Sequence, residues 1–436
     1  MLGVLMRILG AAIATLLLLE LSSCALLSAW DGPGRAGIQS MLGPVSVPSA
    51  GGRGERLQGP GWMREHILHP YLGFVRDPGL QRHRVGGLEV GRPVNEFGFF
   101  GESPSADTDG AIVVALFGGS VAAELFLRTH EALQSKPEEV ARANGARVRI
   151  VSLALDGMKQ PQQLLAMSYF LARGARFDVV INLDGYNEVA LPFAENAPFG
   201  VSPDYPRSWR AYAARAQSAE TLQLLGRLAL EEQRSESLRV RFSSFPLRHS
   251  SFCLALWHGL NGRSAVEIVA LEKQLRDLLR SQRPGPAVRG PSFRPGSDEL
   301  LEDLVALWAR ASRQMANLAR ANGAAYFHFL QPNQYVAGAK TLTERERKIA
   351  LSPPGDLYRI GAEQGYSRLI AAGRDLADEG IAFVDLTSLF ADVAGDRYGD
   401  HCCHYNREGY EQVAAEIGTV VANSAAFGRI LEERRR

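Results

Sequence analysis

Three side chains in this sequence could together carry out acyl transfer: a serine, a histidine and an aspartate. Ser120 follows Gly118-Gly119 at the end of an apolar run, where its hydroxyl can be a nucleophile or can simply cap the next helix. Far along the chain, Asp400 and His404 occupy one short stretch. An imidazole can take the proton of a serine hydroxyl, and a carboxylate can orient that imidazole and stabilise its charged form. The sequence therefore offers candidates for a catalytic triad.

Acyl transfer also needs hydrogen-bond donors for the oxyanion of the transition state, and the sequence offers three. They are the backbone amide of Ser120, the backbone amide of Gly157 and the side-chain amide of Asn187. Glycine at position 157 lets a substrate oxygen approach the backbone closely. Each feature alone is ordinary, because Gly-Gly-Ser also forms simple turns. Their order along the chain is what predicts a catalytic site.

The elements that must position these residues can be predicted from hydrophobic patterning. Apolar runs bounded by turn residues predict five buried strands, at Ile112–Phe117, Val148–Ala154, Asp178–Leu183, Ala325–Leu330 and Ala382–Leu386. Helical spacing is found in Ala122–Leu133, Gln160–Ala172, Asp298–Ala321, Gly361–Asp378 and Arg407–Glu433. Strands that alternate with helices predict an α/β fold with a parallel five-stranded sheet flanked by helices.

In such a sheet, chemistry gathers at the carboxyl ends of the strands. The candidate serine, glycine and amide follow the first three predicted strands in turn, and residues 400–404 follow the fifth beyond a short loop. Gln331 and Asn333 follow the fourth strand. There they either line the substrate pocket or only cap the loop.

A long insertion separates the third and fourth predicted strands, at about residues 190–296. Within it, Arg207–Arg241 and Ser251–Arg280 have helical spacing, and Arg283–Gly296 is rich in Pro and Gly. The sequence thus predicts a helical lid inside a catalytic domain that covers residues 61–436.

Two further stretches precede the predicted sheet. Residues 31–60 are rich in Gly, Pro, Ser and Arg and predict a flexible spacer. From residue 62 to residue 101, we expect an irregular lead-in that aromatic side chains pin to one edge of the core.

The first 30 residues predict a targeting segment, because Arg7 precedes the apolar run Ile8–Leu19. Three fates are open: an uncleaved signal anchor, a signal peptide cleaved within Ser23-Cys24-Ala25, and a lipoprotein modified at Cys24. A buried helix of a cytosolic protein is the alternative without targeting. Arg7 on the amino side predicts a single membrane anchor with the catalytic domain outside the cytoplasmic membrane.

Composition excludes several classes of function. The 436 residues are 46% hydrophobic with a formal net charge of +1, which permits a packed core and implies no nucleic-acid partner. The four cysteines are too few for a disulfide scaffold and lack metal-site spacing. We expect no metal and no cofactor. In an oxidising compartment, a disulfide from Cys253 to Cys402 or Cys403 is an alternative to free thiols.

Four segments resemble the four blocks of the SGNH (GDSL-like) hydrolases, which are named for Ser, Gly, Asn and His. In chain order they are Phe117-Gly118-Gly119-Ser120, Gly157-Met158-Lys159-Gln160, Gly185-Tyr186-Asn187-Glu188 and Asp400-His401-Cys402-Cys403-His404. Many members of the family carry Asp where this chain has Gly119. The resemblance is greatest to the membrane-anchored or exported bacterial branch, whose nucleophile block is Gly-Gly-Ser.

This resemblance spans about residues 62–425 without the helical insertion. It implies a flavodoxin-like sheet. It also implies hydrolysis of an ester through an acyl-enzyme, with the serine, histidine, aspartate and amide donors in the roles already assigned to them.

The last block departs from the family in its spacing. Family members usually separate the Asp and the His by two residues, whereas three residues separate Asp400 from His404, and His401 occupies the usual Asp position. We predict a one-residue bulge that lets Asp400 reach His404. Two alternatives remain: a histidine that acts without a close carboxylate, and His401 as the base paired with Asp400.

The ordered set of residues predicts a serine esterase that hydrolyses an O-acyl ester, such as an acetyl group on an envelope or exported glycan. The same residues suit acyl transfer to a glycan hydroxyl. A non-catalytic glycan-binding or assembly protein of the envelope is the alternative from another class. The sequence does not match the α/β-hydrolase fold. The nucleophile elbow of that fold has a glycine on each side of the serine, and Ala122 occupies the position of the second glycine.

Overall fold

The structure is a computed structural model in which two compact units are distinguished. It describes residues 14–15, 17–27, 38, 65–80, 82–85, 88–91, 94–213, 219–244, 247–281, 286–294 and 296–435. The first unit comprises Met1–Gly61 and Gln217–Ser281, and the second comprises Trp62–Ala216 and Gln282–Arg436. All the candidate site residues belong to the second unit.

The described residues form the following helices and strands. The strands are β1 (His66–His69), β2 (Gly73–Arg76), β3 (His83–Val85), β4 (Leu88–Val90), β5 (Ile112–Gly118), β6 (Val148–Ala154), β7 (Val179–Asp184), β8 (Ala325–Leu330) and β9 (Ala382–Asp385). The α-helices are α1 (Ser120–Arg142), α2 (Gln162–Ala172), α3 (Tyr186–Leu191), α4 (Trp209–Tyr212), α5 (Ala219–Ser243), α6 (Ser251–Ser281), α7 (Pro286–Arg289), α8 (Ser297–Ala321), α9 (Glu344–Ile349), α10 (Leu357–Asp378), α11 (Arg407–Ala422) and α12 (Ala425–Arg435). A π-helical turn at Pro192–Asn196 and 3-10 turns at Ala197–Phe199 and Leu247–His249 complete the set.

The second unit contains a five-stranded, all-parallel sheet in the order β6-β5-β7-β8-β9. This is the strand order of flavodoxin-like proteins, and it confirms the predicted fold class. The order reverses at β5, whose Gly118 lies opposite Ala154 of β6 and Leu183 of β7. Ligands of such sheets bind in the crevice at this reversal, outside the carboxyl ends of the strands.

Alternation along β5 explains why helices cover both faces of the sheet. Ile112, Val114 and Leu116 belong to one buried core cluster, and the intervening side chains of β5 belong to another. Successive side chains of a strand point to opposite faces, so every residue of β5 must be apolar or small. Helices α1 and α11 pack together in the first cluster, and α2 contributes Met167 and Phe170 to the second.

The lead-in to the sheet is more regular than the expected irregular segment. Strands β1 and β2 form one antiparallel pair, and β3 and β4 form another. With only three or four residues each, these strands are too short to show a period-2 pattern in the sequence.

The first unit is built around the helices α5 and α6, which pack against each other. Its own apolar cluster contains Leu254 and Trp257 of α6 together with Leu27 and Ile38. Of the predicted insertion at residues 190–296, residues 217–281 belong to this unit.

The predicted anchor and spacer fall mostly outside the described residues. Residues 1–13, 16 and 28–30 of the anchor are not described, nor are residues 31–60 of the spacer apart from Ile38. Residues 17–27 are helical, and Glu20 accepts hydrogen bonds from Ser250 Oγ and the amides of Ser251 and Phe252 at the start of α6. Within the described part of the chain, no helix has both the length and the apolar character needed to cross a membrane.

Candidate active site

The turn between β5 and α1 places Ser120 at the crevice. Strand β5 ends at Gly118, and α1 begins at Ser120. Gly118 has a φ of 149°, and a Cβ there would lie 2.2 Å from the carbonyl oxygen of Leu183. A Cβ on Gly119 would lie 2.2 Å from Nδ2 of Asn187. Gly118 is therefore required by the close approach of the next strand end, whereas a side chain at position 119 would displace the Asn187 amide.

The structure brings Ser120, His404 and Asp400 together in one hydrogen-bonded chain. Ser120 Oγ lies 2.8 Å from His404 Nε2, and His404 Nδ1 lies 2.6 Å from Oδ2 of Asp400. Because an ionised carboxylate can only accept, the hydrogen of a neutral imidazole must be on Nδ1. Nε2 is then free of hydrogen and can accept the serine proton, which is the tautomer that nucleophilic activation requires.

A tight loop allows Asp400 to reach His404 across three intervening residues. Oδ1 of Asp400 accepts the amides of Cys402, Cys403 and His404 at 2.9, 3.2 and 3.2 Å. The same carboxylate thus folds the loop through one oxygen and contacts the imidazole through the other. His401 has an exposed side chain, so it is Asp400 that pairs with His404.

Two of the candidate oxyanion donors lie on loops that meet beside the serine turn. Asn187 Nδ2 lies against Gly119 and donates to the carbonyl of Met158 at 2.9 Å. An amide nitrogen carries two hydrogens, so this bond leaves Asn187 a second donor. Gly157 has a φ of 68°, and a Cβ there would overlap the Arg207 side chain. Asn187 therefore joins the loop that carries the second donor to the turn that carries the first.

A buried ion pair holds the loop that contains Gly157. Arg76 of β2 is buried and contacts the carboxylate of Asp156, the residue before Gly157. Arg76 also donates to Glu65 and to the carbonyl of Arg84. The lead-in strands thereby fix a loop of the site, which the sequence pattern did not predict.

The residues that follow β8 support the catalytic loop. Asn333 is fully buried, and its Nδ2 approaches the carbonyl of Cys402 at 3.5 Å. Its neighbour Gln334, which the sequence did not single out, donates to the carbonyls of Asp400 and Cys402 at 3.1 Å each. Gln331 is buried beside Gly185, and its Nε2 has no hydrogen-bond partner among the described residues.

The groups around His404 favour its protonated form. Burial lowers the pKa of His404, but its hydrogen bond to Asp400 and nearby anionic groups outweigh this and raise the pKa to about 10. Burial likewise raises the pKa of Asp400, yet the hydrogen bond and charge of His404 bring it below its usual range. Asp400 is therefore a charged acceptor, as the triad requires.

Glu124 is a site residue that the sequence pattern did not single out. It lies one helical turn after Ser120 on α1, with its Oε1 3.7 Å from His404 Nε2. Residues four apart share a helix face, so this spacing could have been found once Ser120 was placed at a helix start.

A second Ser-His-Asp arrangement lies inside the core. Ser312 Oγ is 2.8 Å from His328 Nδ1, and His328 Nε2 is 2.9 Å from Oδ1 of Asp184. Ser312 and His328 are 0% exposed, and Trp308 also donates to Asp184 at 2.8 Å. This network holds the end of β7 in place and is closed to substrate. Access from the crevice thus distinguishes Ser120 from Ser312.

Cys402 and Cys403 lie in the catalytic loop with their sulfur atoms 3.3 Å apart. Together with His404 they form a group, among the described residues, that is compact enough to hold a metal ion. Both ring nitrogens of His404 already have partners in the triad, so a metal ion would displace one of them. All four cysteines of the chain are described and are free thiols in this structure. The disulfide from Cys253 stays a prediction.

Comparison with known proteins finds distant structural likeness. No protein-family model and no curated protein matches this chain. Among solved structures, the chain is similar to a crystal structure of a Bacteroides fragilis protein described as a "putative acylhydrolase". The sequence identity is 10%, the match covers 74% of this chain and 88% of that one, and the TM-score is 0.29.

Proposed function

We propose that this chain is a serine ester hydrolase of the SGNH type, with Ser120 as nucleophile, His404 as base and Asp400 as the partner of the base. The observation that carries the proposal is the hydrogen-bonded chain from Ser120 Oγ through His404 to Asp400, at 2.8 and 2.6 Å. Its place at the reversal of strand order, where α/β sheets bind their ligands, supports the same conclusion.

In the proposed reaction, His404 Nε2 takes the proton of Ser120 while Oγ attacks the carbonyl carbon of the ester. The tetrahedral intermediate collapses as the bond to the alcohol breaks, and His404 returns its proton to the leaving oxygen. A water molecule then attacks the acyl-enzyme with the same base, and the acid product leaves Ser120.

The oxyanion of each intermediate needs fixed donors, and a single such donor contributes about 10²–10³ in rate. We assign this role to the amides of Ser120 and Gly157 and to the side chain of Asn187. Support comes from the contact of Asn187 with Gly119 and with the carbonyl of Met158, which joins the two loops that carry the other donors.

For the substrate, we propose an O-acyl ester on an envelope or exported glycan. This rests on the N-terminal sequence, where Arg7 and the apolar run Ile8–Leu19 indicate membrane anchoring with the body of the chain outside the cytoplasmic membrane. Membrane fractionation of the expressed chain, with protease added to cells whose outer membrane has been permeabilised, checks this location. Protection of the chain from external protease in cells with a permeabilised outer barrier would contradict it.

A fluorophosphonate probe tests the enzyme assignment, because it reacts with activated serines. We expect wild type to be labelled on Ser120 and Ser120→Ala to remain unlabelled. Ser312→Ala is the matched control, since it removes the other serine with the same hydrogen-bonded neighbours. It should keep the label.

Two outcomes would overturn this proposal. One is the absence of labelling in folded wild type, and the other is labelling that persists in Ser120→Ala but is lost in Ser312→Ala. Circular dichroism of each variant establishes that it is folded. Hydrolysis of a chromogenic acetate ester by wild type and not by Ser120→Ala is the second expected result.

A further inference from the structure

A second carboxylate, that of Glu124, lies at the ring nitrogen of His404 that faces the nucleophile. Its Oε1 is 3.7 Å from His404 Nε2, and the glutamate side chain is 1% exposed. Asp400 contacts the other nitrogen, Nδ1. The base is therefore flanked by carboxylates on both ring nitrogens, although a Ser-His-Asp triad needs only one.

Among the described residues, only one oxygen of Glu124 has a hydrogen-bond donor. Its Oε2 accepts from Arg128 Nε at 2.8 Å, whereas Oε1 is buried without a hydrogen-bond partner in the described structure. Ser120, Glu124 and Arg128 follow one another at intervals of four residues on α1, so a single helix face carries the nucleophile, the carboxylate and its cation. A buried carboxylate oxygen is costly unless it interacts with charge, and His404 is the group it approaches.

We propose that Glu124 is a positioning residue whose carboxylate stabilises the imidazolium of His404 that forms when Ser120 gives up its proton. This inference rests on the proposed esterase function and deepens it. Glu124 does not touch the reacting atoms in this assignment. It acts on them through the charge and orientation of His404.

The electrostatics of the loop agree with this geometry. Burial raises the pKa of Glu124 to about 7, although the charges of His404 and Arg128 lower it. Glu124 is in turn one of the groups that raise the pKa of His404. The charged and titratable groups that face this pair are Arg128, Asp156, Asp400, Cys402, Cys403 and Tyr410.

Removal of the Glu124 charge has two consequences with different readouts. A neutral residue no longer favours the imidazolium, so His404 loses its proton at a lower pH. The acid limb of the kcat/KM profile therefore moves to lower pH. The imidazolium formed in the transition state is also less stable, so kcat/KM on the plateau falls. A residue with a merely structural role would lower the plateau and leave the limb where it is.

The test is the pH profile of kcat/KM for a chromogenic acetate ester with full-length wild type, Glu124→Gln and Glu138→Gln. Glu138 is the matched control, because it lies on the same helix and pairs with Arg142 at i,i+4, away from His404. For Glu124→Gln, we expect the acid limb to move to lower pH by about one unit and the plateau value of kcat/KM to fall. Glu138→Gln should keep the wild-type limb.

The outcomes separate this inference from the function on which it rests. An unmoved acid limb in an active Glu124→Gln variant overturns the role of Glu124 and leaves the esterase intact. If Glu124→Gln fails to fold, Glu124→Asp provides the limb measurement: its shorter side chain holds the carboxylate farther from His404, so the acid limb should still move to lower pH, and an unmoved limb overturns the role of Glu124. Wild type that neither hydrolyses the ester nor reacts with a fluorophosphonate overturns the proposed function itself.

Discussion

At the scale of single residues, the path of one loop determines whether a triad can form. Gly399 donates to the carbonyl of His404 at 2.8 Å, and Tyr398 and Tyr405 form an isolated antiparallel bridge, so the chain returns on itself around the intervening residues. Asp400 then folds the turn with Oδ1 and contacts His404 with Oδ2. The backbone of the loop absorbs the one extra residue by which this spacing exceeds that usual in SGNH hydrolases, and the imidazole keeps its carboxylate.

Asp400→Asn should lower kcat by about 10³–10⁴, because a neutral amide can donate to Nδ1 and so stabilise the wrong tautomer of His404. It also removes the strongest influence that raises the pKa of His404, so the acid limb of the residual activity should move to lower pH. Both effects can be measured by steady-state kinetics over a pH range that extends above 10, so that it includes the wild-type limb set by His404.

His401→Ala is the control for this substitution, since His401 occupies the usual family position of the aspartate but has an exposed side chain. It should retain activity close to that of wild type. A loss in His401→Ala as large as that in Asp400→Asn would indicate that His401, not Asp400, supports the base.

At the scale of elements, the turn between β5 and α1 depends on how closely the neighbouring strand ends approach it. A Cβ on Gly118 would meet the backbone of Leu183, and a Cβ on Gly119 would meet the amide of Asn187. The glycines thus let β7 and its following helix α3 lie close enough for Asn187 to stand beside the nucleophile turn. An Asp at position 119, which many SGNH hydrolases carry, would need a different placement of this amide.

Gly119→Ala should displace the Asn187 side chain, because the new Cβ would lie 2.2 Å from Nδ2. Loss of that donor predicts a fall in kcat of about 10²–10³ with a smaller change in KM. Gly355→Ala is the matched control, since no atom lies within 4 Å of its added Cβ. Equal kcat values for the two variants would show that Asn187 is not a donor to the oxyanion.

The strands were predicted more accurately than the side-chain partners of the site. Val148–Ala154 and Ala325–Leu330 have their predicted bounds, because each is a mostly apolar run bounded by turn residues. The predicted helix Arg407–Glu433 is two helices, α11 and α12, and Ser424 Oγ caps the second by accepting the Phe427 amide. Ser424 is a capping residue that the helical periodicity obscured.

Side chains that act through tertiary contacts gave little sequence signal. Glu124 near the start of a helix is typical of a residue that compensates the helix dipole in solvent, and only the fold brings it to His404. Arg76 reaches Asp156 from a strand too short to predict. Both are buried charges whose partners lie far away in sequence, so local patterning cannot identify them.

At the scale of the whole molecule, each unit has a separate apolar core. The two core clusters of the second unit contain only residues of that unit, and the cluster around Leu254 and Trp257 contains only residues of the first. Within the second unit, α4 contacts α7, and the amide of Ser202 donates to the carbonyl of Arg289 at 2.7 Å. The elements that precede and follow residues 217–281 in the chain are therefore neighbours within the second unit.

A variant of residues 62–436 in which a Gly/Ser linker replaces residues 217–281 should therefore fold and keep the proposed active site. A unit with its own core can fold alone, and the variant keeps the strand ends that position Ser120, Asn187 and His404. We expect one cooperative thermal transition, and a rate of fluorophosphonate labelling within about tenfold of the full chain, or about 1.4 kcal/mol in the barrier. Ser120→Ala in the same variant is the control for the label. A folded variant that fails to label, beside a full chain that labels, would instead make the helical unit part of the site, because the catalytic contacts of the second unit would then be insufficient for reactivity.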